Sequence, residues 1–461
     1  MKTSIQAVMT FTAALLAMLM NGCTISPPGE ARLRTMARME GHQFNPAKGT
    51  SADQPLPLSP NSSQLVAYAL VRSPTVQAAY WKLREAIEAI PQAGTEMTTP
   101  MLSGDLGLNS GSFSAANSSI GLANMGSSDI RWPSKPAADA KIALEKARKA
   151  QWLFREAEFQ LQRRVLVAWY QLTATRQLVQ NARHRLATYI SLAHYQQEQI
   201  RVGDGSATGY LNLQSECTGI RIKLIQMRHL AAIQLTNLNL LLNRRPDCRI
   251  TTPARMPIGN LTMVPVSRLV RLAVERNPNL RALHFTRRAR EIAISRAKME
   301  YIPNFDLGAM TSLDGTMQNL TGAIMFPMVR FKAINAAIKQ DRYRLFRAAA
   351  QRHQARNDVI NQLVADALSL RSDAEQLKYI RDSLIPRLRD MRRFSSEIIS
   401  QSRHGIRASL MATDSILNAR DLEWALRLDL AVRQADITAI IALPEYSANA
   451  IVHRASASEN R

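Results

Sequence analysis

Two stretches of the chain place an apolar residue at every seventh position. One runs through Val165, Leu172, Val179, Leu186, Ala193 and Ile200, the other through Leu363, Leu370, Leu377, Leu384, Met391 and Ile398. A seam of that period predicts a helix lying in coiled-coil contact with another helix. The first of these helices runs from about residue 137 to 201, close to 100 Å at about 1.5 Å per residue. Behind it, Ile220, Leu224, Met227, Ala231, Leu235, Leu238 and Leu242 alternate spacings of three and four, as a returning partner helix requires. Two long antiparallel hairpins are therefore expected, with their tips at Gly203 and Gly405.

A second rhythm has period two. In "NFDLGAMTSLDGTMQNLTGAIMF" the apolar positions alternate, turn at Asp314-Gly315 and resume towards Phe326, which predicts a β-hairpin. Its strands have the length that a tilted strand needs to cross a bilayer. The earlier stretch "GDLGLNSGSFSAANSSIGLANMG" is apolar only at Leu106, Leu108, Ile120 and Leu122, and reads either as a second such hairpin or as a surface loop. Two hairpins give four strands per chain, too few to close a barrel, and open edges cannot sit in lipid. Several chains would then share one barrel, of eight strands for two copies or twelve for three.

The chain repeats its plan after about 200 residues. "LVRSPTVQAA" and "VERNPNLRAL" both read as helix starts, with Pro74 or Pro278 at the first helical position and Ser73 or Asn277 as the capping residue. Pro100 keeps step with Pro303, Trp132-Pro133 with Phe326-Pro327, and Gly203 with Gly405. The organisation expected is a signal peptide over 1–22, a Pro-rich leader over 23–60 and a first repeat over 61–246 with its hairpin at about 104–131. A linker over 247–265, a second repeat over 266–443 with its hairpin at 305–326, and a tail over 444–461 complete it.

The first residues form an export address: Lys2, then an apolar run too short to span a bilayer as a mature helix. The run ends in "LMNGC", similar to a bacterial lipoprotein signal in which Cys23 is lipidated, the other reading being ordinary cleavage near Gly22. The net charge of +23, from 59 Lys and Arg against 36 Asp and Glu, is spread through the helices rather than gathered in a tail. No recognition fold accompanies it, which argues against nucleic acid as a partner. Cys217 and Cys248 sit towards opposite ends of one expected helix, too far apart for a disulfide. The eight histidines show no metal-ligand spacing and no acid–base or nucleophile constellation recurs, so neither a cofactor nor an enzyme is expected. Met310, Met317, Met325 and Met328 read either as a soft-metal path or as gap-filling in apolar surface.

The duplicated order of "RSPTV" and "RNPNL", "YIPNFDLG", "RWPSKPAADAKIALEKA" and "MFPMVRFKAINAAIKQ", with tips "RVGDGS" and "RHGIRAS", resembles the outer membrane efflux (TolC-like) family over about residues 60–443. The resemblance implies a mainly α fold with a small β part: duplicated long coiled-coil hairpins plus four membrane strands per chain, in a trimeric α/β barrel. It implies a homotrimer in the bacterial outer membrane, surrounded by outer membrane lipid and working with a periplasmic adaptor and an inner membrane transporter. Segment 247–265 would be its equatorial linker, and "RWPSK" is similar to segments of members that serve metal-efflux pumps. Conduction of drugs or metals is the implied function. A type I protein-secretion outlet and a structural periplasmic coiled-coil lipoprotein are the alternatives. The resemblance further implies a periplasmic gate at Arg407 and Asp414, with Met411 where the family pattern has another acid, and adaptor-docking tips at Gly203 and Gly405. Asp414 then reads either as one third of a carboxylate ring or as an exposed helix carboxylate.

Overall fold

The computed structural model describes residues 25–41, 56–95, 101–109, 112–123, 131–203, 205–254, 256, 259, 261–312, 318–325, 330–398 and 404–444. The signal segment 1–22, Cys23, the Asp314-Gly315 turn, Phe326-Pro327 and the tail after Pro444 lie outside the described residues. In chain order the elements are α1 (Glu30–Gly41), α2 (Ser62–Arg72), α3 (Pro74–Gly94), β1 (Met101–Asn109), β2 (Ser112–Ala123), α4 (Ser134–Arg201) and α5 (Ala207–Leu241). The second repeat follows with α6 (Val266–Arg276), α7 (Pro278–Lys298), β3 (Asn304–Ser312), β4 (Gln318–Met325), α8 (Phe331–Tyr379), α9 (Ile385–Ile398) and α10 (His404–Ile440).

Each proline stretch both ends one helix and starts the next. The Ser73 N–H closes α2 onto Ala69 O at 2.8 Å while the Ser73 carbonyl accepts from Gln77 of α3 at 3.1 Å. In the second repeat Asn277 N–H reaches Ala273 O at 2.9 Å, and its side-chain amide donates to Ile440 O at 3.0 Å. The missing N–H of Pro74 and Pro278 costs nothing at a helix's first position, so the chain bends there.

The chain folds into two compact units, and each draws on both repeats: Met1–His42, Ala79–Phe154 and Asn279–Gln354 form one, the remainder the other. The repeats are therefore not domains, because α4 and α8 are long enough for their residues to contribute to both units.

The first unit holds a four-stranded antiparallel sheet in the order β1-β2-β3-β4. The weaker stretch of sequence is thus a strand pair and not a loop, and it begins before the position expected, at Met101. Its ladder is irregular between Asp105 and Gly107. The same unit corrects the reading of 23–60 as a mere Pro-rich leader, because α1 forms within it. Leu33 and Ala37 of α1 are buried, Tyr80 Oη donates to Ala37 O at 3.2 Å, and Arg34 bridges Glu30 and Glu88 at 2.7 Å each.

The second unit is built on the heptad seams. Val165, Leu172, Val179 and Ala193 of α4 are buried, and Val179 and Ala182 pack with Leu224 of α5 as the seam required. In the second repeat the seam fails after Leu377. Residues Ile380–Leu384 form a π-turn, whose extra residue rotates everything beyond it by about 100°. Leu363 and Leu370 are 0 and 3 % exposed, whereas Leu384 and Met391 are 40 and 46 % exposed. Ile380, Ile385 and Leu388 take their place against Ala419 and Leu426 of α10. Segment 247–265 packs back through Ile250, Met256, Leu261 and Val264. Cys248 lies in that segment, past the end of α5, and both it and the buried Cys217 are free thiols.

Candidate functional site

Strand register sorts the sheet into two unlike faces. Phe305 pairs with Ile324, and Ile120 shares their face because residues two apart and directly opposite residues point the same way. The other face collects Asp105, Ser119, Ser312 and Asn319, with Met310 among them. Ile120 and Ile324 are exposed on the apolar side. Alternation of one apolar and one polar face along strands of this length is the pattern of a barrel wall between lipid and water.

At the foot of this sheet lies a stitched junction. Lys135, in the first turn of α4, is only 2 % exposed, and its ammonium donates to Ile302 O at 2.9 Å and to Asn304 Oδ1 at 2.5 Å, with Glu300 at 3.9 Å. Asp139, one turn on, accepts from Arg131 at 3.1 Å and from Arg296 at 3.0 Å. A buried ammonium is tolerated only when its protons are satisfied, and here they fasten the start of β3 to the start of α4. Trp132 against Phe305 and Tyr301 against Phe331 ring this foot, with centroids 6.0 and 5.9 Å apart. Trp132, Tyr301 and Phe331 are all exposed, as in the aromatic belts of membrane proteins.

In the second unit α4 and α10 are joined by an ionic cluster. Arg185 donates to Asp414 Oδ1 at 2.9 Å, to Asn418 Oδ1 at 2.6 Å and to Asp421 Oδ2 at 3.1 Å. Asn181 also donates to Asp421, at 2.9 Å, and the Tyr189 hydroxyl to Asp414 at 3.4 Å. Burial first, and then the Asp414 charge, hold the Tyr189 hydroxyl above its ordinary pKa, so it stays a donor. Within this chain Asp414 is half-buried and held by Arg185 and Tyr189. Its charge is balanced by Arg185, a residue that sequence reasoning does not single out. The signal available is the spacing of Asp414 and Asp421, one heptad apart on a single helix face.

The tips differ from each other. Gly203 takes φ 84°, a left-handed backbone that favours glycine, with open space where a Cβ would stand. Val202 beside it is 66 % exposed. Gly405 and Arg407 instead lie in the first turn of α10, so Gly405 is a helical residue and not the turn itself. No group of three or more His, Cys, Asp or Glu placed to hold a metal ion occurs among the described residues, and no described helix is long and apolar enough to cross a membrane.

No protein-family model and no curated protein matches the sequence. Solved structures do. CusC, described for its conformational changes on folding and transmembrane channel formation, superposes with a TM-score of 0.67 at 15 % identity over 85 % of this chain and 95 % of its own. The open-state MtrE outer membrane channel of Neisseria gonorrhoeae gives 0.66 at 15 % identity over 83 % and 89 %. The CmeC outer membrane channel of Campylobacter jejuni gives 0.66 at 10 % identity over 86 % and 89 %. What is shared at these identities is the fold, and the chain has the fold of these channels.

Proposed function

We propose that this chain is one subunit of a homotrimeric channel-tunnel in a bacterial outer membrane. It conducts drugs or metal ions delivered by an inner membrane pump through a periplasmic adaptor, and performs no chemistry of its own. The observation that carries this reading is the open sheet. β1 and β4 are its outer strands, with no further strand beside either among the described residues, and one face is apolar. Unpaired backbone groups cannot remain in lipid, so strands from other copies complete the wall, and three copies make twelve. A second apolar seam on α5 supports the same assembly. Ile233 and Leu240 are exposed on the side of the helix opposite the buried Leu224 and Leu238, where a helix of another copy can cover them.

Lipid attachment at Cys23 belongs to the same reading. Two residues on, the Ile25 N–H donates to Gly94 O at 3.2 Å, at the end of the helix that leads into β1. An acyl chain on Cys23 would enter the leaflet beside the foot of the sheet. Arg185 and Asp414 form the gate, with Arg407 nearer the tip on the same helix as Asp414. Gly203 and Gly405 mark where the adaptor docks.

The test is the protein mass of the particle extracted in mild detergent, by light scattering with the detergent subtracted, followed by conductance in planar bilayers. A trimer's mass and stepwise ion current are expected; a monomer, or a trimer that does not conduct, refutes the reading. Arg185→Ala should raise single-channel conductance by releasing α4 from α10. A current identical to wild type removes the gate from this cluster while leaving the channel standing.

A further inference from the structure

We propose that the conducting path of this channel selects anions: its cargo is a solute of net negative charge, an acidic drug or an anionic metal complex, in preference to a bare metal cation. The inference rests on the tunnel reading above and names the substrate class that the path admits. Its ground is the charge of α7 and of α8 as far as Gln354, the helices that lead to and from the second strand pair. α7 carries Arg281, Arg287, Arg288, Arg290, Arg296 and Lys298 against the single carboxylate Glu291. The stretch 331–354 of α8 carries six more cations against Asp341 alone. Both carboxylates are already engaged, Glu291 by Arg287 and Asp341 by Arg344, at 2.9 Å each. α3, the counterpart of α7 in the first repeat, instead balances Lys82 and Arg84 with Glu85 and Glu88.

Lys339, Arg342, Arg347 and Arg352 are exposed and have no carboxylate partner among the described residues. At about 100° per residue they fall about 60–140° apart around the helix axis, so whichever side of α8 borders the water-filled path presents cations to it. The field reaches the neighbouring α7: burial, and then the charges of Arg352, Arg288, Arg281 and Arg287, hold the His284 imidazole below its ordinary pKa. Membrane lipid is not the counter-charge. α8 leaves the foot of the sheet at Phe331, and Arg342 and Arg352 stand about 16 and 31 Å further along it, against a Debye length of about 8 Å in physiological salt. The sheet's polar face offers Asp105 as an exposed carboxylate, set against a far larger basic excess in the helices. In a trimer each unpaired cation recurs three times, and a wall of one sign concentrates ions of the other beside it.

The experiment is the reversal potential of the full-length particle in planar bilayers, between about 10 and about 100 mM KCl, where a long Debye length exposes the charge of the wall. Chloride should permeate at least about three-fold better than potassium, and the ratio should fall towards one as salt rises to about 1 M. Lys339→Gln, Arg342→Gln, Arg347→Gln and Arg352→Gln together should bring the low-salt ratio towards one while the particle keeps its trimeric mass. Arg347→Gln alone should move it part of the way, and serves if the fourfold variant does not assemble. Vesicles holding the particle should pass a sulfonated dye at least about two-fold faster than a quaternary-ammonium dye of similar size. A ratio of one or a potassium preference in the wild type overturns the proposal, as does a ratio that the substitutions leave unmoved or equal passage of the two dyes. A conducting trimer without anion preference defeats this inference alone, whereas a particle that does not conduct defeats it together with the tunnel reading.

Discussion

In the first repeat α4 remains one helix from Ser134 to Arg201, while the matching stretch of the second repeat changes register at Ile380–Leu384 before continuing as α9. The two returns from sheet to helix differ as well. The first carries the buried Lys135, and the aligned position of the second is Val329, outside the described residues. The tips differ again, with a left-handed glycine in the first and a helical one in the second. One plan, duplicated, has become a continuous and ionically pinned copy beside an interrupted one. The interruption has a physical consequence: it brings Ile385 and Leu388 against α10 and leaves Leu384 and Met391, which the unbroken seam would bury, exposed.

The pinned return offers the largest effect. Lys135→Met removes the ammonium that donates to Ile302 O and Asn304 Oδ1 at this half-buried junction, a loss of about 3 kcal/mol. The fraction of assembled particle surviving graded heating in detergent should fall sharply, and survival equal to wild type would mean that the first return needs no pin.

Inserting an alanine between Leu384 and Ile385 tests the interruption. One further residue without a second π-turn rotates α9 by about 100° and expels Ile385 and Leu388 from their packing against Ala419 and Leu426, whereas deleting Ser383 would straighten the helix and keep both on the face of Leu377. A cost of about 2 kcal/mol is expected for the lost packing. Limited proteolysis should then cut the second hairpin sooner and leave the first alone; unchanged cleavage would show that the two hairpins are interchangeable.

The tips give a smaller, signed difference. Gly203→Ala should cost about 1 kcal/mol because alanine resists the left-handed backbone. Gly405→Ala, in a helical turn, should be neutral or stabilising by up to about 1 kcal/mol. Thermal unfolding of the two variants side by side decides it, and equal shifts would erase the distinction between the tips.

The smallest effect is pH-dependent. Burial, and then the charge of Asp436, hold Asp366 above the ordinary carboxylate range, and its Oδ2 has no hydrogen-bond partner among the described residues. The folded protein therefore keeps this proton more tightly than the unfolded chain does. Its charge costs stability above the folded pKa, and the cost vanishes below the ordinary aspartate pKa, where both states are protonated. Asp366→Asn should raise the unfolding temperature slightly near pH 8 and leave it unchanged near pH 3. A shift of equal size at both values would mean that packing and not charge is responsible.

Much of this architecture is legible in the chain. The prolines at 74 and 278, the seams of α4 and α5 and the alternation around Phe305 are local periodicities, and they produce helices and strands wherever the chain is placed. The candidate site is less legible. Asp414 stands out from its place near the second tip, but its partner Arg185 lies 229 residues away on another helix. The face of α5 that carries Ile233 and Leu240 escapes notice because the first seam already explains the helix. α1 is hidden behind the prolines of its surroundings.

By itself the sequence determined the duplication, the period of each element, the places where helices start, and a sheet with edges that one chain cannot satisfy. Those follow from backbone geometry and side-chain spacing, which act over a few residues. Only the tertiary structure decided that Lys135 is sealed beneath β3, that one arginine serves both Asp414 and Asp421, and that the second seam slips by one residue at Ile380. Each of these depends on which helix faces lie together after packing, and a single inserted residue changes that choice by a quarter turn or more without altering the pattern on either side.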